Sequence, residues 1–298
     1  MHVTVCICTR DRGPTVARSL RSVFASRYDD YDVVVIDQST SDDTERTIEH
    51  LEVPRRRLTY VRSQTAGSSI AHNLAAEHAQ GPIVAYTDDD CEVSPDWLRL
   101  IAAYFQANPN VGEVCGAVVA GPHEQEQGFV PDSVITRAEL TSSPWLKWRE
   151  RGIGANMAFR LDVLRAVGPF DVALGPGAPL RSCLDGDMSY RVLKAGYAVL
   201  DVQDAYVIHH GFRTWEEGTT LLRGVGLGMG AAYMKHLRLG DVAVIPTLLW
   251  EWAGCISWGR LIKFQRRSGL ARFAFYAKGM LTSFQYRIDR SRRIYIVD

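Results

Sequence analysis

The chain of 298 residues has no pairing pattern among its cysteines. There are six, at positions 6, 8, 91, 115, 183 and 255, and none stands in a CxxC spacing. Cys6 and Cys8 alternate with Val5 and Ile7 as in a strand, and the cysteines read as reduced small hydrophobes of a cytosolic protein. A run of 18 apolar residues is also missing. The nearest, 242–258, is interrupted by Pro246 and Glu251, so a membrane-spanning helix is not expected. The opening "MHVTVCICTRDRG" meets charge within ten residues, and no secretory signal is expected. Nor is there a glycine-rich phosphate loop. "GVGLGMG" at 224–230 lacks the preceding strand and the following Lys-Ser/Thr, and "CTRDRGPT" after the first apolar run holds only Gly13.

Net charge is absent as well, since 34 Lys and Arg balance 34 Asp and Glu. The balance is uneven. Residues 259–298 carry ten basic side chains against two acids, leaving the first 258 residues with 24 basic and 32 acidic ones. An acidic body tolerates a metal or a nucleotide, and a basic tail seeks an anionic surface. No recognised nucleic-acid module accompanies that tail. At 46% hydrophobic residues the chain is long and apolar enough to bury a sizeable core.

What is present begins with an alternation. "HVTVCIC", "YDVVVID", "LTYVRS" and "PIVAYT" have the composition of buried strands. Between them "PTVARSLRSVFAS", "STSDDTERTIEHL" and "GSSIAHNLAAEHA" have helical spacing, with Pro14 near one start and acids in the first turn of another. Strands separated by helices predict a Rossmann-like, mostly parallel sheet, with ligands beyond the carboxyl ends of its strands. Thr9 to Arg12, Asp37 and Asp88 to Asp90 all follow strand ends and should converge. Three adjacent carboxylates repel one another unless a cation sits among them. Oxygen ligands suit a hard cation such as Mg²⁺ or Mn²⁺. Capping of the next turn is the plainer use of the triplet.

Seven stretches stand in order: "VCICTRDR", "VVVIDQSTSDDT", "AGSSIAHN", "YTDDDCEVSPDWL", "GANMAFRLDVL", "LDGDMSYRVLKAGY" and "YVIHHGFRT". Together they make residues 1–215 resemble a family 2 glycosyltransferase of the GT-A type, in the nucleotide-diphospho-sugar transferase superfamily. The resemblance implies an α/β three-layer sandwich with a mostly parallel sheet over 1–215, followed by a C-terminal helical, basic-aromatic extension at 216–298. It implies an inverting, divalent-metal-dependent transferase (hexosyl type) with Mn²⁺ or Mg²⁺ as cofactor. The donor would be a UDP-sugar, with dTDP or GDP open, and the acceptor a hydroxyl on a glycan, a lipid-linked sugar or a small molecule. A sugar-phosphate nucleotidyltransferase and a non-catalytic nucleotide-sugar-binding protein are the alternatives.

Residue by residue, the resemblance assigns nucleotide contacts to Thr9, Arg10, Arg12, Asp37, Gly67, Asp88 and Asp89. Asp37 would accept a ring N–H of the base. Asp90 and His209 would hold the metal, with His210 close behind, and Arg213 would face the diphosphate. Asp42 reads as a helix cap, and Asn73 as a residue holding the "AGSSIAHN" loop. Gly154, Ala155, Asn156, Trp145 and Leu184 would line the acceptor side, with Trp148 a second aromatic candidate. Leu184 departs from the family pattern, which has Glu there. Asp185 would be the general base and Asp187 the fallback. The segment 242–293 mixes aromatic, apolar and basic residues, the composition of helices that lie on a bilayer. A location at the cytoplasmic side of the membrane is expected from it. A solvated basic face on packing helices is the plainer alternative.

Overall fold

The protein is described by a computed structural model, which covers residues 1–257 and 265–297. The N-terminal alternation folds as read: β1 (Val3–Thr9), α1 (Gly13–Phe24), β2 (Tyr31–Asp37), α2 (Asp43–Glu49), β3 (Leu58–Arg62), α3 (Ser68–His78) and β4 (Ile83–Asp88). Then come β5 (Cys91–Val93), α4 (Trp97–Ala107), β6 (Val111–Ala120), β7 (Gly128–Phe129), β8 (Glu139–Thr141), β9 (Asn156–Arg160), α5 (Leu161–Val167), α6 (Leu184–Lys194) and β10 (Ala198–His209). The chain ends with β11 (Arg213–Thr214), α7 (Trp215–Arg238), α8 (Ile245–Ser257), α9 (Gln265–Thr282), β12 (Arg287–Asp289) and β13 (Ile294–Ile296).

The main sheet has the order β3-β2-β1-β4-β9-β6-β10-β5, with β8 paired to β10. Strands β3, β2, β1 and β4 are parallel, and β10 is parallel to β6. β9 runs antiparallel between β4 and β6. A parallel neighbour needs a crossover, and β9 arrives instead from the long excursion after β6. Alternating residues of the buried strands feed two cores. Val5, Ile7, Val33 and Val35 pack on α1, α2 and α4 through Val16, Leu20, Ile48, Trp97 and Phe105. Cys6, Val34, Ile36 and Tyr86 face the other way, toward α3, α5 and α6. That makes three layers. Cys6, Cys8, Cys91, Cys115 and Cys183 are all unpaired thiols.

The C-terminal helices are joined to the second core. Tyr233, Val244, Leu248, Tyr276 and Tyr295 are buried in the same cluster as Met188, Tyr190 and Val192 of α6. A capping box opens α7: Thr214 N–H donates to Glu217 Oε2 (2.8 Å) and Glu217 N–H to Thr214 Oγ1 (3.3 Å). The glycines of "GVGLGMG" sit within this helix and let backbone approach on two sides. A Cβ at Gly226 or Gly230 would fall 2.5 Å from Arg272 O or 2.1 Å from Tyr276 O of α9. At Gly228 it would fall 2.5 Å from Ser182 O, in the loop before α6.

Candidate active site

β1, β2 and β4 lie side by side, with Thr9 opposite Asp37 and Cys8 opposite Asp88. Beyond these strand ends opens a cavity of about 390 Å³, lined by Thr9, Arg10, Arg12, Gln38, Gly67, Ser68, Asp88, Asp89, Asp90, Gly177, His209 and Arg213 among others. The turn that presents Arg10 and Arg12 holds Asp11 at φ 55°, a left-handed conformation unusual for a residue with a Cβ. Asp11 Oδ1 accepts from the N–H (2.8 Å) and hydroxyl (3.0 Å) of Thr40. That latch was not read from the sequence; a short acid before a turn was its only signal. Gln38 is a second such residue. Its amide accepts from Gly67 N–H (3.1 Å) and donates to the carbonyls of Thr65 (2.6 Å) and Gly67 (3.2 Å). Gly67, at φ 136°, is thereby fixed at the start of α3. The first N–H of that helix, on Ser68, is taken by Pro176 O (2.9 Å).

The three aspartates have three environments. Asp89 accepts from Thr9 Oγ1 (2.6 Å) and Arg12 Nη1 (3.1 Å). Asp90 meets the same Arg12 nitrogen (2.9 Å) and His209 Nε2 (3.2 Å). Asp88 has no such partner among the described residues, and burial, then the Asp90 charge, pushes its carboxyl up to about 7. Burial would raise Asp90 too, but the His209 hydrogen bond and charge hold it below the ordinary carboxylate range. Burial opposes the charged form of His209, yet its bond to Asp90 leaves the imidazole raised.

Asp88, Asp90 and His209 bring ligand atoms within 4.8 Å of one another, together with Cys91. Burial pushes the Cys91 thiol far up, which leaves an oxygen-and-nitrogen donor set suited to Mn²⁺ or Mg²⁺. The ring is already oriented for this. Nδ1–H donates to Pro131 O (2.7 Å) and turns Nε2 toward the carboxylates. Gly211 keeps the space open, because a Cβ there would lie 2.5 Å from His209 Nε2 and 2.8 Å from Asp90 Oδ2. The residues present fit a divalent cation. His210 is turned away, 2.8 Å from Glu92.

Asp185 stands in the first turn of α6, half-buried. Its carboxylate accepts from Gly154 N–H (2.8 Å) through Oδ2 and from Gly186 N–H (2.8 Å) through Oδ1. Gly154 lies two residues before Asn156, which pairs with Thr87 next to Asp88, so the loop holding Asp185 adjoins the acidic strand end. Cys183, just before α6, is at φ 70°. Asp187 is different. It is fully buried against Arg191 (3.1 Å), Lys235 (2.7 Å) and His236 (2.8 Å), which removes it as a fallback base.

Other sequence-selected residues are placed as follows. Asp37 is buried outside the cavity lining, accepting from Ser39 and from Tyr60 Oη (2.7 Å). Asn156 is buried and pins the sheet: its amide donates to Ala117 O (3.0 Å) and Ala205 O (2.8 Å) and accepts from Trp97 Nε1 (2.9 Å). Ala155 is buried in the core on the α4 side and Leu184 in the core on the α6 side. Trp145 is exposed, and Trp148 packs on Trp250 with ring centres 4.8 Å apart. Asp42 precedes α2 but bonds Arg62 rather than the helix end. Asn73 ties α3 to the backbone of Phe170, at 2.9 and 2.7 Å.

The chain is 24% identical over 180 residues to the glucosyl-dolichyl phosphate glucuronosyltransferase of Haloferax volcanii, covering 59% of this chain and 58% of that protein. It is 28% identical over 184 residues to the succinoglycan biosynthesis protein ExoM of Rhizobium meliloti, covering 59% and 57%. It thus spans less than two thirds of these relatives' length. Among solved structures, a mannosyltransferase from Pyrobaculum calidifontis in complex with GDP-Man and Mn²⁺ superposes with a TM-score of 0.64 at 19% identity, covering 95% of this chain and 86% of that one. S. aureus TarS 1-349 in complex with UDP does so at 0.55 and 15% identity, covering 100% and 95%. These last two likenesses concern the GT-A fold. The sequence model described as glycosyl transferase family 2 matches residues 4–168, more than half of the chain, and the chain belongs to that family.

Proposed function

We propose that this protein is an inverting glycosyltransferase that moves a sugar from a nucleoside diphosphate to an acceptor hydroxyl. The carrying observation is the convergence of Asp88, Asp90, His209, Thr9 and Arg12 on one cavity, with Asp185 held on the adjoining Gly154 loop. Thr9, Arg10, Arg12 and Gly67 bind the nucleotide, and Arg213 faces the diphosphate. Asp37 takes the ring N–H of the base in exchange for the Tyr60 hydroxyl, which suits uracil or thymine and admits guanine. Asp88, Asp90 and His209 hold Mn²⁺ or Mg²⁺, which when bound supplies Lewis-acid stabilisation of the departing diphosphate. Arg12, whose guanidinium donates to Asp89 and Asp90 at the cavity wall, would present its remaining N–H groups to the phosphates. Asp185 removes the acceptor proton as the oxygen attacks the anomeric carbon from the side opposite the leaving group. The two backbone N–H bonds to its carboxylate fix the direction from which it does so. The acceptor is an alcohol on a glycan, a glycolipid or a small molecule.

The test is a thermal-shift panel of UDP, dTDP and GDP with and without Mn²⁺. One nucleotide, UDP first, should raise the melting temperature, and Mn²⁺ should enlarge the rise. No shift with any of the three would refute the donor assignment.

A further inference from the structure

The side chains of α8 divide by face. Thr247 and Leu248 are buried, as is Val244 in the turn just before the helix. Ile245, Leu249 and Trp252, spaced by four and three residues on one helical stripe, are 38%, 56% and 43% exposed, with Trp250 beside them at 50% and Val242 just upstream at 54%. A second segment joins this stripe. Pro144–Arg149 forms a 3-10 turn, in which residues three apart point the same way. Its Trp148 packs on Trp250, and Trp145 is 51% exposed. Two distant pieces of chain therefore build one apolar face carrying three half-exposed tryptophans. Single exposed apolar residues are ordinary, but a contiguous face of this kind marks a contact surface.

We propose that this face seats on an anionic lipid bilayer. Tryptophan suits the headgroup boundary, where its ring is half apolar and half wet. The charge is complementary. The one acid on α8, Glu251, is paired with Arg272 of α9 at 3.2 Å. From 265 to 297 the chain carries eight Arg and Lys against a single Asp. Lys278 of α9 is exposed, as are Arg287, Arg290 and Arg292 of the terminal hairpin. The same positive charge opposes a second copy as the occupant, since two such faces would repel. No helix among the described residues is long and apolar enough to cross a membrane, so the contact is with the surface. Glu150 directly follows the 3-10 turn, and the loop runs on to Gly154 and its bond to Asp185. An acceptor carried in the bilayer reaches the base from that side. That consequence, unlike the seat itself, rests on the transferase reading.

The test is co-sedimentation of the full chain with vesicles of phosphatidylcholine, with and without phosphatidylglycerol. The chain should sediment with the anionic vesicles, less so at high salt. The double variant Ile245→Glu/Leu249→Glu, at exposed positions, should lose about tenfold or more in partitioning. A control at an exposed apolar residue outside the face, Val134→Glu, should not. Melting temperature and the nucleoside diphosphate shift, measured on the same samples, should match wild type in all variants. They separate this idea from misfolding and from failure of the donor assignment. Absence from anionic vesicles would overturn the proposal, as would equal partitioning of the double variant. A dimer in light scattering that the double variant dissolves, without vesicle binding, would hand the face to a second copy and overturn it as well.

Discussion

Asp185 and Asp187 are two residues apart on one helix and have opposite surroundings. Asp185 is half-buried and held by backbone N–H groups, whereas Asp187 is sealed among Arg191, Lys235 and His236. In the sequence both are acids in the first turn of an amphipathic segment. Arg191 is one turn on in the same helix, but Lys235 and His236, which complete the enclosure of Asp187, lie about fifty residues on, in α7, beyond the reach of local pattern. Asn156 was opaque for the same reason, since its three partners come from β6, β10 and α4. Asp185→Asn should keep nucleoside diphosphate affinity and lower turnover about 10²- to 10⁴-fold, read by calorimetry and product assay. Turnover equal to wild type would remove Asp185 from the role. His72 gives a test by pH. Burial lowers its imidazole to about 4 from 6.5, outweighing the Ser68 carbonyl on Nδ1. A base with a depressed pKa is neutral in the fold but takes a proton in the unfolded chain, so stability is lost as pH falls from about 6.5 to 4. Between pH 7 and 4, wild type should lose about 3 kcal/mol relative to His72→Phe in urea unfolding.

At the scale of elements, the strand-helix alternation of the first ninety residues was legible because β1, β2 and β4 are nearly continuous buried runs set between helical segments, while β3, at the sheet edge, is only partly buried. The antiparallel β9 was not, because "NMAFR" is equally apolar in either direction and only its connection decides. Helix α7 was half legible. Its alternating glycines admit either close helix packing or a mobile loop, and in the helix the 100° turn per residue puts Gly224 and Gly228 on one side and Gly226 and Gly230 on the other. What each side meets is tertiary: α9 on one, and on the other Arg181 and Ser182, leading through Cys183 to Asp185. Gly226→Ala and Gly228→Ala should each destabilise by about 1–3 kcal/mol through overpacking. Only Gly228→Ala should also depress turnover, by displacing the loop that sets Asp185. Equal turnover in the two variants would deny α7 that positioning role.

Across the whole molecule, strand ends separated by some eighty residues in sequence become neighbours because β1 pairs with β2 and β4 at once. That topology gathers like charges that a fold would otherwise keep apart. One carboxyl, Asp88, is pushed up to about 7 by burial and by the charge of Asp90, which His209 and Arg12 only partly offset. The aspartate triplet and the strand before it were visible in the sequence; the orientation of His209 by Pro131 and the opening left at Gly211 were not, since both depend on the path of β10 beside β5 and β6. The central claim is that these groups hold a divalent cation against a nucleoside diphosphate. Electron paramagnetic resonance of Mn²⁺ titrated into the protein with UDP present tests it most directly. Binding of one ion per chain in wild type, lost in Asp90→Ala and in His209→Ala, is the predicted result. Mn²⁺ uptake unchanged in both variants would contradict it.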